Sequence, residues 1–276
     1  MRTWLITGAS RGFGYEIARQ ALELGDNVVA TARRPEEITA GLSSDRLLAL
    51  PLDVTDEAAA RRAVDAAVER FGGIDVLVNN AGRGLLGAVE EASDAEVRAV
   101  YDINVFGLLA VTRAVLPVLR RQRSGRVINI SSVGGFTGGP GWGLYHSTKF
   151  AVEGLSEAMR AELAPLGIDV IIMEPGVFRT DFLDDSSLHS TAATIGDYGG
   201  TVGNTRGWAA DNDHSQLGDP VKGVAAIITV ATTEKPPLRV QLGPDCVARV
   251  EAKLAFVADE LAQWRDLALS TSYTEQ

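Results

Sequence analysis

The sequence predicts an α/β fold: a doubly wound parallel sheet of about seven strands with helices on both faces. Three observations carry this. Short β-rich runs alternate with segments of helical period through the first 180 residues, the pattern of βαβ units and a parallel sheet. The strands read as nearly continuous apolar runs, as in Ile74-Asp75-Val76-Leu77-Val78, which suits a sheet covered on both sides. A glycine-rich turn lies between the first strand and the first helix, where such sheets approach their ligands.

The elements follow in order. Residues 3–7 form the first strand and 12–24 the helix behind the glycines. Strands at 27–31, 47–52 and 74–79 come next, with a helix at 56–71. A long helical segment at 95–121 precedes a strand at 126–131, a helix at 144–163 and a strand at 168–173. Residues 181–218 break the pattern. They are rich in Asp, Ser, Thr and Gly, with isolated anchors Phe182, Ile195, Tyr198 and Trp208. A loop of this length inside a compact domain reads as a lid-like insertion or a partly disordered segment. Gly218-Asp219-Pro220 opens another helix to about residue 231, with Asp219 as cap and Pro220 in the first turn. A last strand spans 238–242. A final helix runs from Pro244 to about 269, and 270–276 is expected to fray. The division is one domain over 1–243 and a helical extension over 244–276.

Of the 276 residues, 46% are hydrophobic and 22% charged, ordinary for a globular chain. Asp and Glu outnumber Lys and Arg by 36 to 26, a formal charge of −10. This balance argues against a nucleic-acid surface, which needs a basic face, and against docking on anionic lipid. A single cysteine, Cys246, forms no internal disulfide and no cysteine-based zinc site. Three histidines without metal-ligand spacing point to no metal. No uninterrupted apolar run reaches the roughly 20 residues of a bilayer span, and no secretory signal pattern opens the chain. The expectation is a cytoplasmic protein with no membrane partner.

The first chemical constellation is Thr7-Gly8-Ala9-Ser10-Arg11-Gly12-Phe13-Gly14. Gly8, Gly12 and Gly14 let the backbone turn tightly and approach a pyrophosphate, and the helix behind offers unpaired N–H groups. The second strand runs into Arg33-Arg34, where an NAD site would carry an acid for the ribose 2′-hydroxyl. A guanidinium there would neutralise a 2′-phosphate instead, with Arg11 approaching from the glycine turn. This favours NADP, with NAD less favoured. The competing reading is a solvated arginine pair. Asp53 and Val54 end the third strand. Asp53 either accepts from an adenine amino group or caps the helix near Asp56. Asn80, Ala81 and Gly82 follow the fourth strand, small enough for a cofactor ribose to come close.

The second constellation is Tyr145 and Lys149, four residues apart on one helix face. A tyrosine pKa of about 10 is high for acid–base work near neutrality, and an adjacent ammonium lowers it. Ser131 and Ser132 end the fifth strand, where a hydroxyl can meet a carbonyl oxygen. Asn104 sits mid-helix, a poor place for asparagine.

Together these motifs resemble the short-chain dehydrogenase/reductases. The match covers about 1–180, and more loosely 219–243. It comprises Thr7-Gly8-xxx-Gly12-x-Gly14, Asn79-Asn80-Ala81-Gly82, Asn104, Ser132, Tyr145-xxx-Lys149 and Pro175-Gly176. The resemblance implies a Rossmann-type fold and a nicotinamide dinucleotide. It implies an Asn104–Ser132–Tyr145–Lys149 tetrad. In it Tyr145 is the general acid/base and Lys149 modulates its pKa and grips the ribose. Ser132 orients the carbonyl, and Asn104 holds a water relay. Ser10, Phe13, Pro175, Gly176, the Val177 backbone and Thr180 then join the cofactor contacts. The reaction implied interconverts a carbonyl and a secondary alcohol, in the manner of a ketoreductase. His146 falls off the Tyr/Lys face and reads as structural.

For the substrate, Gly134, Phe136 and Trp142 precede the tyrosine, and Phe178 and Phe182 follow the last motif. With Ser132 they either wall an apolar pocket for a hydrophobic ketone or pack core and interfaces. The resemblance also implies a homodimer or homotetramer.

Overall fold

Leu5, Val29 and Leu77 face one side of the sheet, and their neighbours Trp4, Ile6, Val28, Ala30, Val76 and Val78 face the other. Both sets are buried. Period-two strands with two apolar faces need helices on both sides, and the computed structural model, which describes residues 1–273, supplies them. The sheet contains β1 (Thr3–Thr7), β2 (Asn27–Ala32), β3 (Leu47–Pro51), β4 (Val76–Asn79), β6 (Gly125–Ile130), β7 (Ile168–Pro175) and β9 (Arg239–Leu242). A short strand, β5 (Gly84–Leu86), lies outside it. All seven strands run parallel, in the order β3-β2-β1-β4-β6-β7-β9. This is a Rossmann-like fold. From β1 the chain winds one way to β2, and from β4 the other way to β6. The carboxyl ends of β1 and β4 therefore open a crevice.

One face of the sheet is covered by α1 (Gly12–Glu23) and α8 (Pro220–Thr232). The other carries α3 (Glu57–Phe71), α5 (Leu108–Gln122) and α6 (Gly143–Leu163). Local signals explain the boundaries. Asp56 accepts from the N–H groups of Ala58 and Ala59 at 2.8 and 3.0 Å, and Gly72 ends α3 in the left-handed region. Asp219 caps α8 ahead of Pro220. A capping box between Ser93 and Glu96 starts α4 (Asp94–Tyr101).

Three regions depart from the expectations. The long segment expected as one helix is α4 and α5 joined by a widened π turn, Asp102–Gly107, and Asn104 sits inside that turn. The continuous 29-residue stretch is long and apolar enough to cross a bilayer, yet over half of its apolar window is buried in the domain. Residues 181–218 hold structure of their own. β8 (Leu188–Ser190) pairs in parallel with β5, and α7 (Asn204–Asp211) follows two short turns. A short α2 (Glu36–Thr39) also went unsignalled. The final helix, α9 (Pro244–Leu269), has the expected bounds. The fraying expected at 270–276 falls partly on 274–276, which lie outside the described residues.

Candidate active site

A cleft of about 650 Å³ opens at the carboxyl ends of the central strands. Its floor is the glycine turn. Gly8 and Gly12 take φ of +66° and +55°, a region L side chains rarely enter. A Cβ on Gly8 would stand 3.0 Å from Ala81 Cα, and one on Gly14 would strike the Gly8 carbonyl oxygen. Gly14 thus supports the turn from behind rather than lining the cleft. Asn80 locks the two strand ends together. Its amide donates to the carbonyls of Thr7 and Gly8 at 2.9 and 3.0 Å, while Thr7 Oγ1 accepts from the N–H groups of Asn80 and Ala81. α1 starts at Arg11 with no side-chain cap and no acid in its first turn. Its open N–H groups suit a phosphate.

Arg33 lines the cleft at the end of β2 beside Asp53 and Val54. Arg34 pairs with Glu37, whereas Arg33 has no paired carboxylate among the described residues. Arg11 is not directed at a 2′-phosphate. Its guanidinium donates to Ser186 and Ser187 at 2.5 and 2.7 Å, because the folded 181–218 segment brings those hydroxyls within reach. Asp53 accepts from the Thr55 N–H and hydroxyl at 3.0 and 2.7 Å, and it is Asp56 that caps the helix. Ser10, Phe13, Ala81, Gly82, Pro175, Gly176, Val177 and Thr180 all line the cleft. The Val177 N–H is already taken by Asp245 at 2.8 Å, and its carbonyl accepts from Gly218. That N–H is therefore spent, while the carbonyl keeps a second lone pair toward a carboxamide.

The reactive end combines β6 and α6. Ser132, Tyr145 and Lys149 converge there. Lys149 Nζ donates to the Ile130 carbonyl at 2.9 Å and sits 5.8 Å from the centre of the Tyr145 ring. Asn104 lies behind Gly82. It accepts from the Arg83 N–H at 2.9 Å and donates to the Arg83 carbonyl and Thr148 Oγ1 at 2.9 and 3.0 Å. Both amide hydrogens are spent on protein, so the side chain is a brace with at most one lone pair left for water. Burial pushes the Tyr145 phenol up to about 12, partly offset by a hydrogen bond with Ser132. The lowering expected from Lys149 is absent in the chain alone. Burial brings Lys149 down to about 8, against the opposing pull of Glu153.

Trp142 and Phe182 flank Tyr145, with ring centres 6.0 and 5.3 Å away. Phe178 lines the mouth and packs edge-on against Phe13 at 5.1 Å. Two expected wall residues do not line it. Phe136 turns into a small cluster with Val133, Cys246 and Val250, 5.9 Å under the Arg239 guanidinium. The 3₁₀ turn after Ser132 carries it to that side. Gly134 instead gives the His146 ring room to pack, and His146 stacks on Trp142. His146 is buried but does line the cleft; burial and the Arg249 charge hold it near 4.

Arg83, Gln216 and Arg249 carried no usable sequence signal, and Trp208 was legible only as an anchor of the 181–218 segment. Arg83 follows the Asn-Ala-Gly turn, its Nε buried without a partner and its charge felt by Arg33. Gln216 is 3% exposed, and neither side-chain polar atom has a partner. Trp208 and Arg249 reach the cleft from α7 and α9. Among the described residues no group of three or more His, Cys, Asp or Glu side chains could hold a metal.

Comparison with known proteins agrees with this geometry. The family model described as short chain dehydrogenase matches residues 2–190. A short-chain dehydrogenase structure from Streptomyces avermitilis is 42% identical, covers 99% of each chain and superposes with a TM-score of 0.92. A 3-ketodihydrosphingosine reductase of Bacteroides thetaiotaomicron is 36% identical over 94% of each chain. A serine dehydrogenase complexed with NADP+ is 29% identical, with 88% of this chain and 94% of that one covered and a TM-score of 0.74. The left-handed glycine turn, the uncapped helix start and the carboxyl-end crevice fit a nicotinamide dinucleotide. The chain belongs to the short-chain dehydrogenase family and is an oxidoreductase of that family.

Proposed function

We propose that this protein is an NADP(H)-dependent ketoreductase acting on a hydrophobic carbonyl compound, with Asn104, Ser132, Tyr145 and Lys149 as its working set. One observation carries the reading. Ser132, Tyr145 and Lys149 meet in the same cleft that Arg33 enters from the end of β2 without a carboxylate partner. The site receives the cofactor on Gly8, Gly12 and the open start of α1. Arg33, with Arg83 beside it, would neutralise a 2′-phosphate. The bound nicotinamide supplies the hydride. The chain does the rest. Ser132 orients the carbonyl oxygen, and Tyr145 donates a proton to it as the alkoxide forms. Burial raises the Tyr145 phenol to about 12, so it holds its proton at neutral pH in the chain alone. Lys149, fixed by the Ile130 carbonyl, brings positive charge to the ribose side of Tyr145. Asn104 braces the Gly82–Arg83 turn against α6. Trp142, Phe178, Phe182 and Leu183 supply an apolar wall. The relative named as a reductase of 3-ketodihydrosphingosine supports a hydrophobic ketone.

Paired fluorescence titration with NADPH and NADH, then turnover across a panel of ketones, tests this. Clear NADPH preference with reduction of bulky apolar ketones is expected. Tighter NADH binding would move Arg33 to a surface role and favour an NAD-dependent alcohol dehydrogenase. We place the enzyme in the cytoplasm as a homo-oligomer, to be checked by fractionation and by mass in solution.

A further inference from the structure

We propose that the outer part of α9 is a dimerisation element that pairs with the same helix of a second copy of this chain, as an antiparallel coiled coil. The helix has two unlike halves. Its first two turns are anchored: Cys246 and Val250 are buried, Asp245 holds the Val177 N–H, and Arg249 donates to Thr137. From Glu251 to Leu269 every residue except Lys253 is exposed. Helices in proteins draw most of their stability from tertiary packing of an apolar face.

The exposed half carries such a face with nothing against it among the described residues: Leu254, Val257, Leu261 and Trp264 continue the spacing of Val247 and Val250 in the anchored half, three and four residues apart in strict alternation. This is the seam of a coiled coil, repeating every 3.5 residues. Leu254, Val257, Leu261 and Trp264 are 56%, 45%, 60% and 58% exposed. Single exposed apolar residues are ordinary, but a continuous stripe of them marks an interaction surface.

The charges beside the seam identify the occupant. Glu251 and Arg265 lie on one flank, and Lys253 and Glu260 on the other. Both pairs are centred within a residue or two of Val257. A two-fold axis there sets Glu251 against Arg265 of the partner subunit and Lys253 against Glu260 of the partner subunit. Symmetry repeats each pair, giving four complementary contacts. A parallel arrangement keeps only the Glu260–Arg265 pairing. A lipid surface fits less well. Beyond Val250 the helix carries Glu251, Asp259, Glu260 and Asp266 against only Lys253 and Arg265, whereas surface-bound helices are rich in Lys and Arg.

The test is the mass of the full chain by sedimentation at micromolar concentration. Leu261→Glu changes only an exposed side chain and is expected to halve the native mass while leaving the far-ultraviolet spectrum unchanged. Glu251→Arg and Arg265→Glu are each expected to weaken association several-fold, and the two together to restore it. The pair is roughly 21 Å apart along one helix, so restoration requires contact between chains. Equal masses for the native chain and Leu261→Glu would overturn the proposal, as would no restoration in the double variant. Sedimentation of the native chain with neutral phosphatidylcholine vesicles, abolished by Leu261→Glu, would assign the stripe to a membrane instead.

Discussion

The inner and outer walls of the cleft are built from different material. The inner wall is main chain: the Gly8–Gly14 turn, the Asn80–Gly82 turn and the hydrogen bonds that tie them, at the ends of central strands. The outer wall is side chain. Residues of the 181–218 segment reach the body through Arg206 and the Ile195 N–H on Glu91, the Ala192 N–H on Glu96, and Tyr198 on Glu90. Arg11 adds the contacts to Ser186 and Ser187. A wall of backbone admits one kind of ligand and tolerates almost no substitution. A wall of tethered side chains can change its selectivity without disturbing the sheet. On the proposed function, the cofactor half and the substrate half divide along this line.

Tyr145→Phe tests the reactive end between the walls. Removing the hydroxyl is expected to lower kcat/KM by about 10²–10⁴-fold, the usual worth of a positioned acid. NADPH affinity by fluorescence should stay within a few-fold; unchanged turnover would refute the assignment of Tyr145. Gly14→Ala strikes the inner wall. The added methyl meets the Gly8 carbonyl and the Asn80 amide. Overpacking of this kind costs about 1–3 kcal/mol, and a lowered Tm with weakened NADPH binding should report it. Arg33→Ala is expected to cost NADPH roughly 10–100-fold in Kd, from the loss of about 1.5–3 kcal/mol of charge-assisted hydrogen bonding. NADH should lose almost nothing; equal losses would place the arginine outside the 2′-phosphate site.

The outer wall predicts smaller effects of a different kind. Arg206, and then the N–H groups of Ile195 and Ala88, hold Glu91 down at about 2, below its ordinary 4.5. A lowered folded-state pKa adds stability that is complete above about pH 4.5 and is lost as pH falls toward 2. Hydrogen exchange below pH 4 should therefore open residues 191–206 before the sheet, and Glu91→Gln should open them at neutral pH. Simultaneous opening of sheet and segment would erase the distinction between the walls. Gln216→Leu removes a buried amide with no partner, which should be neutral or slightly stabilising. A Tm that holds or rises, a changed KM for carbonyl substrates and an unchanged NADPH Kd would place Gln216 on the substrate side.

Much of the inner wall was legible in the chain because it depends on local rules. The glycines, the Asn80–Gly82 turn and the Tyr145–Lys149 spacing state their geometry within a few residues. Asn104 was legible by position but not by action, since its two amide hydrogens are claimed by Arg83 and Thr148 from elsewhere in the sequence. The partners of Arg11 and of the Val177 N–H were not legible for the same reason. Each is bonded by a distant segment, Ser186–Ser187 or Asp245, that no local pattern announces. Phe136 looked like a wall residue from its neighbourhood, yet one 3₁₀ turn sends it to the α9 side.

The sequence by itself determined the alternation of strands and helices, the seven-stranded parallel class and the phosphate-type turn. Hydrophobic period, caps and glycine placement act over one or two turns of chain, so they can be read there. Only the tertiary structure decided which side chains remain free once the chain has folded. Among the described residues it left Arg83 Nε and the Gln216 amide without partners, kept Arg33 at the cleft, spent Arg11 and Arg34 elsewhere, and set the Tyr145 and Lys149 pKa values chiefly by burial. Desolvation and long-range hydrogen bonds depend on what packs around a group, and that is fixed by residues far away in the sequence.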